Sequence, residues 1–297
     1  MIRLERSAYE VVSAGRSLWV EADAALGSRW GEVVPHLPGV LPGGVRPRVG
    51  PGAALLPSGV SRGDARRLLN AHLHLLHLAY GTLCLHAVAL RFPADGRVVV
   101  LLGGHGAGKS LVALALVRRG WRVLAGDVAL VDLSDPERGF RVLGGTAAFL
   151  ARRAPTLRWF PDLALPPSGG ERVDLGHLPG LRESPMATAG PVTVAAVVDV
   201  DGDPVAGAGM VEVLDEHTAA TVWWRASGHL LERILDDSAV VLCQFEDGPA
   251  SSHRQNRVRA LAGALPLHAV WGAPDAIADR VQDLADSSTP AQSLEVR

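Results

Sequence analysis

A chain of 297 residues, 48% hydrophobic and 20% charged, can bury a full core in one large or two modest domains, which excludes a disordered protein except at its ends. The net charge of −2 argues against a broad nucleic-acid-binding surface, and no stretch reaches the roughly 18 uncharged apolar residues of a membrane helix. The opening residues lack the apolar run of a secretory signal, so a soluble cytoplasmic protein is expected, with Cys84 and Cys243 as buried reduced thiols.

Residues 1–61 read as a small, mainly β lobe: the stretches beginning at Tyr9 and Ser17 alternate as strands do, and Pro35 to Pro57 is dense in proline and glycine. No chemistry stands out there. Asp64 to Tyr80 is predicted helical from the spacing of Leu68, Leu69, Leu73 and Leu76. It carries His72, His74 and His77. The last two are spaced for a shared metal but lack a cysteine or acidic companion, so a solvated or substrate-facing helix edge is the favoured reading. Thr82 to Leu90 follows as a strand containing His86, which is either structural or close to a site. A turn over Phe92 to Gly96 then leads into the next strand, Arg97 to Leu102.

The strongest motif comes next. Gly103, Gly104, His105, Gly106, Ala107, Gly108, Lys109 and Ser110 follow the phosphate-loop pattern G-x-x-x-x-G-K-[ST], between a buried β-branched strand and a predicted helix that continues with Leu111. In such a loop the glycines let backbone N–H groups turn toward a polyphosphate, the lysine reaches the outer phosphates, and the serine hydroxyl suits Mg²⁺. Lys109 is the only lysine in the chain, so an ammonium on a flexible stem is kept here alone, where a guanidinium fork would not fit.

Gly120 stops the helix, and a strand carries acidic residues back toward the loop. Asp127, Asp132 and Asp199 are the candidate carboxylates for a metal-linked role. Residues 141–190 look irregular, as a lid, a substrate-contacting insertion or a solvated connection; Arg152, Arg153, Arg172 and Arg182 are candidate anion clamps within it. The C-terminal third is predicted as helix Thr218–Leu235, strand Ala239–Phe245, helix Ser252–Ala264, strand Leu267–Trp271 and helix Ala273–Ala285, with a polar tail over 287–297. Trp223 and Trp224 lie on the first of these helices, where packing is the default role. The alternation gives an α/β layered domain over residues 62–286.

Three runs together resemble the HPr kinase/phosphorylase C-terminal domain and its kinase-like relatives: Thr82 to Val88, Val98 to Ser110, and Leu116 to Asp127. The resemblance covers about residues 82–132, with a looser similarity over Pro266 to Leu284. It implies a fold related to phosphoenolpyruvate carboxykinase, oligomers, and transfer of the γ-phosphate of ATP, with Mg²⁺, to a hydroxyl, commonly serine. It raises His86 and Asp127 to site residues, so that with the loop's own residues His86, Lys109 and Asp127 are the catalytic candidates and Ser110 and Asp127 the metal ligands. The acceptor would be a peptide, a protein or a small molecule; HPr itself is disfavoured because the N-terminal lobe differs. One departure stands out. The family's strand carries two adjacent aspartates, and here Gly126 occupies the first position; a register slipped by one leaves Val128 at the second. Either way one carboxylate is absent, which keeps a catalytically degenerate nucleotide-binding module as the alternative and weakens a phosphorylase reading.

Overall fold

The computed structural model describes residues 6–49, 54–135, 139–166, 170–182, 190–201, 209–235 and 245–288. Strands β1 (Arg6–Ser13) and β2 (Arg16–Asp23) form a hairpin whose turn residues, Ala14 and Gly15, both have positive φ, the twist that suits tightly joined antiparallel strands. Two single-turn helices, α1 (Ala24–Gly27) and α2 (Trp30–Val33), lead to β3 (Val40–Arg48), which pairs with the other side of β1. Short β4 (Ala54–Leu55) runs parallel to β2. The core of this sheet, with Val11, Val20 and Leu37, is closed by Ala65, Leu69 and Leu73 of the long helix α3 (Arg62–Ala79). Ser61 caps that helix through the Asp64 amide.

The strand expected over Thr82 to Leu90 is two strands, β5 (Thr82–His86) and β6 (Val88–Arg91), followed by β7 (Val98–Leu102), α4 (Lys109–Arg118), β8 (Arg122–Ala125) and β9 (Val128–Asp132). β5 pairs with β9 and β6 with β8, so two antiparallel segments break at the same level, at Ala87 on one side and Gly126–Asp127 on the other. The Ala87 amide bridges the break by donating to the Asp127 carbonyl at 3.0 Å. Alternation of apolar residues runs through Ala87 without interruption, which is why the sequence alone reads one strand.

The stretch expected to be irregular holds β10 (Arg141–Gly145), β11 (Leu150–Arg152), α5 (Arg153–Trp159) and β12 (Arg172–Asp174), with β11 and β12 paired. Then come β13 (Gly190–Val200), β14 (Met210–Val213), α6 (Glu216–Leu235), α7 (Gly248–Ala264), β15 (Leu267–Gly272) and α8 (Pro274–Ser287). Positions 239–244 of the strand predicted at Ala239–Phe245, Cys243 among them, lie outside the described residues; Cys84 is buried without a disulfide, and burial pushes its thiol pKa well up.

The main sheet runs β5-β9-β10-β13-β7-β6-β8, with β15 along a second side of β13 and β14 beyond it. β7 and β15 are both parallel to β13. Both faces are covered. Val99 and Leu101 of β7 pack with α4 and α8, while Val98, Val100 and Leu102 pack with Trp223 of α6 and with Val258 and Leu261 of α7. A strand buried on both sides has no polar alternation, which explains the unbroken apolar run of β7. Trp224, the neighbour of the buried Trp223, carries the Arg254 guanidinium over its ring at 3.5 Å.

Candidate functional site

One cleft gathers the glycine loop, the broken β5/β6 and β8/β9 segments, and the ends of α3 and α6. The loop leaves the C-terminal end of β7 and enters α4 at Gly108, whose φ is 90°. A Cβ added there would lie 2.2 Å from Val200 Cγ2, so both the left-handed backbone and the close approach of β13 demand glycine. Val200 braces the loop further by donating its amide to the Ala107 carbonyl at 2.9 Å. α4 begins without a side-chain cap, and its first residues line the cleft. The positive end of the helix therefore faces the cavity.

Lys109 is buried and donates through Nζ to the carbonyls of Gly103 at 2.8 Å and Gly104 at 3.2 Å. Burial lowers its pKa to about 8 against the opposing charge of Asp127, so it is cationic at neutral pH. Ser110 Oγ donates to the Leu150 carbonyl at 2.8 Å, which fixes the hydroxyl proton and leaves the oxygen's lone pairs available. His105, within the loop, meets Arg172 Nη2 at 2.6 Å through Nε2; burial and then the charges of Arg172 and Arg152 lower its pKa. A donating arginine makes that nitrogen the acceptor.

Asp127 stands in the gap between β8 and β9, with half of its side-chain surface (49%) open to the cleft. Its Oδ1 lies 3.5 Å from His86 Nε2 at the end of β5. Burial by the surrounding protein would raise its pKa. The hydrogen bond and charge of His86, with His229 and Lys109 behind, outweigh that and hold the carboxyl well below the usual carboxylate range. Thr146 fixes the carboxylate's backbone, its Oγ1 accepting the amides of Asp127 at 2.9 Å and Val128 at 3.0 Å.

Gly126 is enclosed. A Cβ there would sit 2.1 Å from the Ala148 carbonyl oxygen and 2.8 Å from Phe149 Cα. The connection between β10 and β11 thus fills the space beside Gly126. The packing therefore leaves no room for a side chain at position 126.

The structure brings together His86, Asp127 and residues 104–111 of the glycine loop, and adds Arg152 and Arg172 from the candidate clamps. Gly103 stands just behind, as acceptor for Lys109. Other candidates fall elsewhere. Asp132 ends β9 opposite Thr82, five residues from Asp127, and accepts the Ser134 amide. Asp199 is exposed on β13 and does not line the cleft. Arg153 donates to the Pro166 carbonyl and Arg182 to those of Thr146, Ala147 and Leu124, so both hold loops in place. The expected solvated histidine edge of α3 is a correction: His74 and His77 are buried, and His77 Nε2 meets Ser13 Oγ at 2.7 Å. Among the described residues no group of three or more His, Cys, Asp or Glu side chains is placed to hold a metal.

Several residues had no sequence signal. His229 of α6 stacks on His86, ring centroids 3.8 Å apart and planes 12° apart; burial and then the charge of His86 lower its pKa to about 3, so it is neutral. Arg66 and Asn70 of α3, His36, and Arg233 of α6 complete the opposite wall. Helical spacing of Arg66 with Asn70, and of His229 with Arg233, places each pair on one face, but only the packing of α3 against α6 decides which face is the cleft.

The fold and site define a mixed α/β protein with a glycine-loop cleft at the ends of its central strands. The sequence matches no protein-family model and no curated protein. Among solved structures it is similar to the HPr(Ser) kinase/phosphatase from Coxiella burnetii, at 20% identity over 44% of this chain and 72% of that one, with a TM-score of 0.23. That is a weak and distant likeness of fold. No helix among the described residues is long and apolar enough to cross a membrane.

Proposed function

We propose that the protein is a kinase that binds Mg-ATP on the glycine loop and passes the γ-phosphate to a hydroxyl of a peptide, protein or small molecule. The observation that carries this reading is the convergence in one cleft of Lys109, the uncapped start of α4, and an ionised Asp127 paired with His86. Loop amides and Lys109 bind the phosphates. Asp127 and the Ser110 oxygen fit Mg²⁺, which takes one or two protein oxygens and completes its shell with phosphate and water; bound there, it would neutralise charge on the phosphates. His86, entering with one ring nitrogen unprotonated, takes the acceptor's proton as the acceptor oxygen bonds to the γ-phosphorus and the bond to the ADP oxygen breaks, and the imidazolium so formed is held by Asp127. A general base contributes about 10²–10⁴-fold, while positioning and charge stabilisation carry most of phosphoryl transfer, so one carboxylate suffices.

Mass spectrometry of candidate acceptors incubated with Mg-ATP is expected to find the gain of one phosphoryl group, abolished in Lys109→Ala with folding intact. Unchanged turnover in that variant would remove the mechanism. A second reading draws on Gly126, whose enclosure leaves no room for a second acid: a nucleotide-binding module that orders a partner surface. Nucleotide binding without ADP formation, whatever acceptor is offered, selects it.

A further inference from the structure

Among the described residues, five arginines, Lys109 and one carboxylate line the cleft, in a chain whose net charge is −2. Lys109, Arg152 and Arg172 belong to the glycine-loop side, where the kinase reading puts the nucleotide. Arg66 and Arg67 come from α3, and Arg233 from α6. Their neighbours on α3 serve as a control. Arg62 pairs with Glu32, and Arg67 pairs with Asp64 at 2.8 Å. Arg66, between them in sequence, has no hydrogen bond or ion pair with any of the described residues, and the same holds for Arg233.

The charge of Arg233 is felt at Arg66. Burial and then the charge of Arg233 lower the pKa of Arg66; the opposing charge of Asp127 is felt less, and Asp127 is already engaged by His86. Like charges held half-buried in one cleft are unfavourable until an anion is bound between them. The pair is also placed at the reaction centre, since Arg233 lies one helical turn from His229, which stacks on His86.

Resting on the kinase reading, we infer that Arg66 and Arg233 form a subsite for an anionic group, a carboxylate or a phosphate, carried by the acceptor whose hydroxyl is phosphorylated. Guanidinium forks match both groups in bidentate geometry. The acceptor would then be anchored by its charge on the α3/α6 wall, with its hydroxyl presented beside His86 and Asp127.

The test is calorimetry on the full chain, with Mg-ADP titrated first and then, at saturation, malonate or inorganic phosphate added separately. At least one anion is expected to bind, and whichever binds more tightly identifies the group. Arg66→Gln and Arg233→Gln should each weaken that binding about tenfold or more, with Mg-ADP affinity unchanged within about twofold. Arg66→Gln should also raise the melting temperature of the anion-free protein by removing one of the repelling charges. The inference is overturned if neither anion binds the Mg-ADP complex, if both variants bind as the parent does, if the loss follows Arg152→Gln or Arg172→Gln instead, or if Arg66→Gln melts lower, which would make the arginine a structural one. Failure of Mg-ADP to bind overturns the kinase reading and the acceptor role with it, and is told apart because that titration is read before any anion is added.

Discussion

Lys109 concentrates the chemistry of the cleft in one side chain. Its pKa of about 8 means that the free protein begins to lose the ammonium within the working range of pH. Anion binding requires the charged form, so affinity for Mg-ADP should be steady below pH 8 and fall as pH rises through it, about tenfold weaker at pH 9 than at pH 7. Calorimetry at the two pH values checks this, and proton uptake on binding at pH 9 should accompany the loss; equal affinities would mean that Lys109 does not meet the phosphates. The motif made this residue legible because loop, lysine and serine are contiguous in sequence. His229 is the opposite case. Nothing near it in the chain marks it, and its role follows from a ring contact with His86, more than a hundred residues away in sequence.

At the scale of elements, the decisive feature is the shared break between β5/β6 and β8/β9. It turns Asp127 out of a ladder and into the cleft beside His86, and it is held by Thr146 and by the tight approach of Ala148 to Gly126. Gly126→Ala should therefore destabilise the fold by about 2 kcal/mol, the order expected for overpacking a site bounded by backbone. Chemical denaturation would measure it; an unperturbed midpoint would mean that the segment after β10 yields easily. The aspartate variant faces the same backbone with a larger side chain. The sequence displays the glycine but not the carbonyl opposite it, because that contact joins segments about twenty residues apart through a bulged register.

For the whole molecule, the buried histidines set a pH limit. Burial lowers the pKa of His74 to about 3 and that of His77 to about 4, and neither ring nitrogen of His74 has a hydrogen-bond partner among the described residues. Both groups bind protons more readily unfolded than folded, so their contribution is fully present above pH 6.5 and lost as pH falls toward their folded values. Together they steepen the loss by up to about 3 kcal/mol per pH unit between roughly pH 6 and 4, and His229 acts in the same direction. Denaturation midpoints across that range should fall steeply, and less so in His74→Leu. A flat profile would mean that these rings reach water.

What the sequence determined by itself was local: the helix and strand periods, the apolar run of β7 between two covered faces, and the glycine loop with its lysine and serine. Those signals are contiguous, so short-range sterics and burial are enough to read them. Tertiary structure alone decided which face of α3 and α6 turns toward the loop, that His74 and His77 are core residues, that Asp127 and neither Asp132 nor Asp199 meets His86, and that Arg66 and Arg233 line one cleft with no ion pair to any of the described residues. Each of these depends on distances between segments remote in the chain, which periodicity does not encode and packing fixes.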